Sequence, residues 1–144
     1  MPIKSFKGLM ADNTQERLNL HHNDGKVGYR IVKFQIMTPD ADTNTESTIK
    51  IYKVEQTTVT DQIDFSDNHL LAAAIMGVTT DRTIYPGVVI FDNEIFNQDI
   101  FVTVKGESFT PNMNYYIELE QMPLALDEAT VATLKDIRNS GDPT

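Results

Sequence analysis

Apolar residues recur at every second position through most of the chain as far as Gln121, and at a helical period only after it. That switch limits the fold more than any other feature. Alternation at period two makes one-sided strands, whereas a 3.6-residue period makes an amphipathic helix. The stretch 88–139 shows both: VVIFDNEIFNQDIFVTVKGESFTPNMNYYIELEQMP is β-prone, and LALDEATVATLKDIRN is helical in pattern. The expected fold class is all-β, an antiparallel β-sandwich or barrel of seven or eight strands with a short C-terminal α-helix at about 126–139.

The strands are expected at Ile3–Leu9, Arg17–His21, Val27–Met37, Thr48–Val54, Leu70–Val78, Val88–Phe91, Asp99–Lys105 and Tyr115–Gln121. Within Val27–Met37 the apolar phase runs Val27, Tyr29, Ile31 and then shifts to Val32, Phe34, Ile36. A β-bulge, or burial of both faces, would produce that shift. Leu70–Val78 is Ala-rich enough for a helix, but Gly77, Val78 and the β-rich neighbours favour a buried strand. Ala11–Gln15 reads as a turn, and Asn23-Asp24-Gly25 as a hairpin turn. Thr38–Ser47 and Asp81–Gly87 read as polar loops, and Glu55–Asn68 is polar and ambiguous. The expected core is Phe34, Ile36, Ile49, Ile51, Ile90, Ile100, Val102, Ile117 and Leu119.

In the final segment Leu126, Thr130, Leu134 and Ile137 share one helical face. Asp127 is a natural N-cap, Glu128 suits the first turn, and Lys135 and Arg138 suit the last. Asn139-Ser140-Gly141 would stop the helix. A helix of about 12 residues is marginal alone, so its stripe must be covered by its own sheet or by a neighbour.

The chain has 144 residues, read as a single domain over 1–144 with no internal repeat or linker. Folding at this size hides roughly 68–70% of the unfolded surface. There is no Cys, so disulfides and thiolate chemistry are excluded. The N-terminus MPIKSFKGLM lacks the apolar run of a signal peptide, and no stretch reaches the roughly 20 apolar residues of a membrane helix. Synthesis in a cytosol is expected. The net charge of −9 argues against a nucleic-acid surface. That charge is uneven. Lys4, Lys7, Arg17, Lys26, Arg30 and Lys33 outnumber Asp12, Glu16 and Asp24, so residues 1–33 carry +3 and the remainder −12. A basic end on an acidic body could dock on an acidic neighbour or on another copy.

Chemistry-bearing patterns are sparse. Asp40, Asp42, Asn44 and Glu46 alternate like the start of a calcium loop, but Thr45 stands where the turn glycine belongs and Ile51 where the bidentate Glu belongs. His21 and His22 are adjacent, which sends them to opposite faces of a strand, and His69 is isolated. No serine sits in a nucleophile elbow and no Gly-rich loop could hold phosphate. Tyr115 and Tyr116 should divide between core and surface. An enzyme is not expected, nor a cofactor or a resident metal.

The segments KSFKGLMADNTQERLNL, GKVGYRIVKFQI, IKIYKVEQ, IFDNEIFNQDIFVTVKG and NYYIELEQMPLALDEATVATLKDIRN resemble a family of small structural proteins of marine tailed bacteriophages. The resemblance covers nearly the whole chain, and IFDNEIFNQDIFVT and EATVATLKDIRN are its most specific parts. It implies a virion component made in the host bacterial cytoplasm, a capsid accessory (decoration or cement) protein. A head–tail or tail-associated structural protein, or a glycan-binding β-sandwich module, is the alternative. The implied partners are the major capsid protein or other virion proteins, in a homo-oligomer or on a lattice, without nucleic acid or membrane. The residues at hand for such contacts are Lys4 and Lys7 in the basic region and Leu126, Leu134 and Ile137 on the helical stripe.

Overall fold

The computed structural model describes residues 2–40, 45–78, 84–106, 112–125 and 133. Eight strands form: β1 (Ile3–Met10), β2 (Thr14–Leu18), β3 (Val27–Met37), β4 (Thr45–Tyr52), β5 (Leu70–Val78), β6 (Ile84–Phe91), β7 (Ile100–Gly106) and β8 (Met113–Pro123). They make two antiparallel sheets, one ordered β1-β8-β3 and the other β2-β7-β4-β5-β6. In the larger sheet β4, β5 and β6 follow one another and β7 returns beside β4, a Greek-key order. The expected helix at 126–139 lies outside the described residues, apart from Thr133.

Alternation decides which side chains enter the core. Tyr29, Ile31, Phe34 and Ile36 of β3 meet Tyr115, Ile117 and Leu119 of β8 on the inner face of the small sheet. Ile49, Ile51, Ile100, Val102 and Val104 face them from the large sheet. The phase shift in β3 is a bulge: Ile31 pairs with Leu119 and Lys33 with Glu118, leaving Val32 as the extra residue. The bulge lets Ile31 and Phe34 point inward although they are three positions apart. Tyr115 is buried and Tyr116 lies on the outer face, the division that alternation requires. Gly8 stands opposite Tyr115, where a Cβ would come within 2.9 Å of the ring. A side chain there would push β1 off the sheet.

The structure corrects several expectations. The strand β2 is Thr14–Leu18 rather than Arg17–His21, so it takes in the end of the expected turn Ala11–Gln15. Ile90 is 51% exposed rather than buried. It pairs with Ala73, which faces away from Ala72 and Ala74 of the core, so β6 presents Ile90 outward at the sheet edge. The strand β6 begins at Ile84, inside the expected loop Asp81–Gly87. Gly77 pairs with Tyr85 and Ile75 with Val88, so Pro86 and Gly87 face Met76 alone. An edge strand with a bulge accepts a proline that a central strand would reject. The turn at Asn23-Asp24-Gly25 is real, with Gly25 at φ 65° and its amide donating to the His22 carbonyl at 3.0 Å. It does not close a hairpin, because β2 lies along β7 and β3 along β8, in different sheets. Turn chemistry reverses the chain but does not choose the neighbour of the next strand.

Ile117 is fully buried at the centre of β8 between β1 and β3. Ile117→Ala should lower the unfolding free energy by about 2–5 kcal/mol in urea denaturation. Ile90→Ala should change it by less than about 0.5 kcal/mol.

Candidate functional site

The connection from β6 to β7 carries the sequence DNEIFNQD and is built into the body of the protein. Phe96 and Tyr29 exchange backbone hydrogen bonds, Tyr29 N to Phe96 O at 2.8 Å and Phe96 N to Tyr29 O at 2.9 Å. Their rings stack with centroids 6.4 Å apart. The connection therefore covers part of the free edge of β3. Asn97 is fully buried, and its amide nitrogen donates to Gly25 O at 3.1 Å and to Thr133 Oγ1 at 2.8 Å. Glu94 pairs with buried Lys53 at 3.0 Å.

The loop ends on Asp99, whose side chain is only 5% exposed. Its Oδ1 accepts from the backbone amides of Leu20 at 2.8 Å and His21 at 3.0 Å, and from His21 Nδ1 at 2.7 Å. Its Oδ2 accepts from Arg17 Nε at 2.8 Å and takes a further guanidinium nitrogen at 2.7 Å. Burial alone would push the carboxyl upward. The His21 amide and ring, the Leu20 amide and the Arg17 guanidinium together outweigh burial and hold it well below the ordinary carboxylate range.

A carboxylate orienting a His is also the base-and-orienter half of a catalytic triad. Here the bonds of Asp99 gather the chain leaving β2 and fasten it to the start of β7, which is a structural use. His22, next in sequence, turns elsewhere and lies 3.2 Å from the Tyr29 hydroxyl. The two His residues diverge, although both lie past the end of β2 rather than in a strand. His69 is buried beside Asp67 at 3.5 Å, with its Nε2 lacking a hydrogen-bond partner. No group of three or more His, Asp or Glu among the described residues could hold a metal ion. Asp42 and Asn44 of the acidic loop lie outside the described residues. No helix among them is long and apolar enough to cross a membrane.

The outer faces of the two sheets differ in chemistry. On the large sheet the polypeptide 53–69 crosses β4 and is tied down by Lys50. That side chain points outward between Ile49 and Ile51, yet it is 1% exposed as a residue. Its Nζ donates to Gln62 O at 2.6 Å and Thr60 Oγ1 at 3.0 Å. Burial lowers the Lys50 pKa, against the opposing pull of Asp61 and Asp67. Tyr52, on the same face, is pushed up to about 12 by burial and by Asp67 and Asp64. Gln15 and Gln56 join the segment to β2 through two bonds of 3.1 and 2.9 Å. Beyond the cover, β5 and β6 expose Ile75, Val88 and Ile90 at 45%, 56% and 51%. Ile75 pairs with Val88, and Ile90 follows on the same face, so the three form a continuous apolar strip. A shallow depression of about 170 Å³ beside it is lined by Glu46, Asp61, Ile75 and Lys105, among others.

The small sheet presents Tyr116, Glu118 and Glu120 on its outer face, flanked by Lys7, Ser5 and Ile3 of β1 and by Gln35, Lys33 and Arg30 of β3. Arg30 pairs with Glu120 at 3.2 Å. Tyr116 donates to Glu118 at 3.0 Å, and Lys33 Nζ sits 5.7 Å from the centre of its ring. Lys7 is exposed across from Tyr116, whereas Lys4 pairs with Leu119 in the inner-face register and lies over Phe6 at the edge. The two lysines singled out in the sequence therefore sit on one strand but not on one face. Leu126, Leu134 and Ile137 lie outside the described residues. Asp99, Lys50 and the Ile75–Val88–Ile90 strip were not picked out by sequence. The signal for Asp99 was its place just before a strand at the end of the IFDNEIFNQD segment.

No protein-family model matches the chain, and no curated protein matches its sequence.

Asp99→Asn should lower stability by about 2–4 kcal/mol at pH 7, on the scale of one or two charge-assisted hydrogen bonds. The folded carboxyl titrates below its unfolded value of about 3.9, so its contribution is complete above that value and is lost as pH falls through the folded one. Urea midpoints of the wild type should drop more steeply below about pH 4 than those of Asp99→Asn. A separate expectation concerns Lys50→Met. Limited proteolysis within 53–69 should be faster in that variant than in the wild type, because the bonds to Thr60 and Gln62 are gone.

Proposed function

We propose that the chain is a structural protein of a tailed-phage particle, an accessory protein that decorates the capsid shell through protein–protein contacts. The observation that carries this reading is the Ile75–Val88–Ile90 strip, aligned by register on an outer sheet face and exposed in the single chain. Contiguous apolar surface of this kind marks a contact with another macromolecule. The resemblance of IFDNEIFNQDIFVT to phage structural proteins agrees with it, and so does the use of that segment, whose polar groups hold the sandwich together.

A decoration protein stabilises a shell by burying surface across subunit boundaries. About 1,600 Å² is a typical stable interface, and repetition over a lattice multiplies modest contacts. In this reading the partner is the major capsid protein, the basic strand with Lys4 and Lys7 adds a salt-sensitive attraction, and the protein carries no cofactor, nucleic acid or catalytic role. The segment 126–139 is an amphipathic helix whose Leu126, Leu134 and Ile137 are covered by the sheet or by a neighbour. The glycan-binding alternative would need an accessible aromatic face. On the small sheet Tyr116 has Lys33 over its ring and Glu118 on its hydroxyl, and on the large sheet Phe65 is a single projecting ring rather than a face.

Quantitative mass spectrometry of purified particles tests the reading. Copies in proportion to the capsomers support it, a few copies per particle place the chain at the head–tail junction or tail, and absence overturns it. Val88→Asp with Ile90→Asp should fold normally, both positions being exposed, yet should fail to incorporate into particles.

A further inference from the structure

Among the described residues Phe65 is the most exposed large apolar side chain, at 69%. It is held outward rather than left loose. Asp64 Oδ1 accepts from the Ser66 amide at 2.9 Å and from the Ser66 hydroxyl at 2.6 Å, and the Asp67 amide donates to Asp64 O at 3.1 Å. Its surroundings are acidic. Residues 53–69 contain Glu55, Asp61, Asp64 and Asp67 against one lysine, Lys53, which is already paired with Glu94. This acidic turn with a projecting aromatic lies on the cover of the large sheet, near Tyr52, whose phenol feels both Asp64 and Asp67.

The opposite face of the sandwich carries the complementary chemistry. Lys7 and Lys33 flank Tyr116 there, while Glu120 is paired with Arg30 and Glu118 receives the Tyr116 hydroxyl. The adjacent row is Leu9–Asn114–Met37, with Leu9 53% and Met37 66% exposed. A ledge of two apolar side chains thus lies beside two exposed lysines.

We infer that copies of this chain associate head to tail, the Phe65 turn of one seating on the Lys7–Tyr116–Lys33 face of the next. Phe65 meets Leu9 and Met37, and Asp61 and Asp64 meet the lysines. Because the two surfaces are different and lie on opposite sides of one molecule, the contact is heterologous and repeats along a row or ring. It is a small contact with an ionic component, so it is concentration-dependent and weakens with salt. This deepens the proposed function by naming a second copy as one partner. It is tested on the purified chain, so it can fail while the particle assignment stands, and the reverse.

Sedimentation measurements on three full-length proteins decide it. The mass of the wild type should rise above 16.2 kDa with concentration and return toward it in high salt. Phe65→Ser alone, and Lys7→Glu with Lys33→Gln alone, should each stay monomeric. An equimolar mixture of the two variants should reach twice the monomer mass and go no further, because each keeps the surface the other lacks. A monomeric wild type, association of either variant by itself, or a mixture that stays at the monomer mass would each overturn the inference. The last outcome would also result from a contact with a basic partner of another kind. If circular dichroism shows that the lysine variant has lost its fold, Leu9→Ser with Met37→Ser takes its place under the same criteria.

Discussion

The arrangement of this protein depends on one buried carboxylate. Asp99 accepts from two amides, an imidazole and a guanidinium, all from the end of β2 and the residues just after it. The chain leaves the large sheet at that corner to enter the small one. Backbone groups leaving a sheet lose their ladder partners, and burying them unpaired would cost about 1–3 kcal/mol each. Asp99 supplies those partners from the far end of the sequence. Phe96 and Asn97, three and two residues earlier, fasten β3, the 22–25 turn and Thr133 in the same way. A single connection thus ties the first third of the chain to the last.

With the polar groups of that connection committed internally, the surfaces open to contact are the outer faces. They are unlike each other. The large sheet pairs an apolar strip with an acidic cover pinned by Lys50, and the small sheet is a mixed charged surface with lysines around Tyr116. The sequence-level charge asymmetry, +3 on residues 1–33 against −12 elsewhere, becomes spatial because β1 and β3 lie together on either side of β8. Arg17 and Arg30 are drawn into ion pairs, leaving Lys7 and Lys33 to carry the positive character of that face.

The strands were legible in the sequence because alternation reports one-sided burial directly. Ile49 and Ile51 inside with Lys50 outside, or Tyr115 inside with Tyr116 outside, follow from period two. The bulge at Val32 was visible for the same reason, as a break in phase. Ile90 misled because an apolar residue in a strand reads as core whether its face is covered by the other sheet or left open at an edge. The Asn-Asp-Gly turn misled because sheet membership is set by pairings with β7 and β8, some 80 to 90 residues away in sequence for contacts such as Leu20 to Asp99 and Arg30 to Glu120. The burial of Lys50 under 53–69 had no signal in the sequence, because it depends on a polar segment that has no period to read. Contacts through the C-terminal stripe at Leu126, Leu134 and Ile137 fall outside the described residues.

We propose that this sandwich works by presenting its two outer faces to other proteins in a phage particle. Electron cryomicroscopy of purified particles tests it most directly. Density for the β-sandwich is expected at ordered, repeated positions, with the Ile75–Val88–Ile90 strip against the shell and the face of β1, β8 and β3 against a neighbouring copy. Particles with no such density, or with the sandwich attached while both outer faces remain open to solvent, would contradict it.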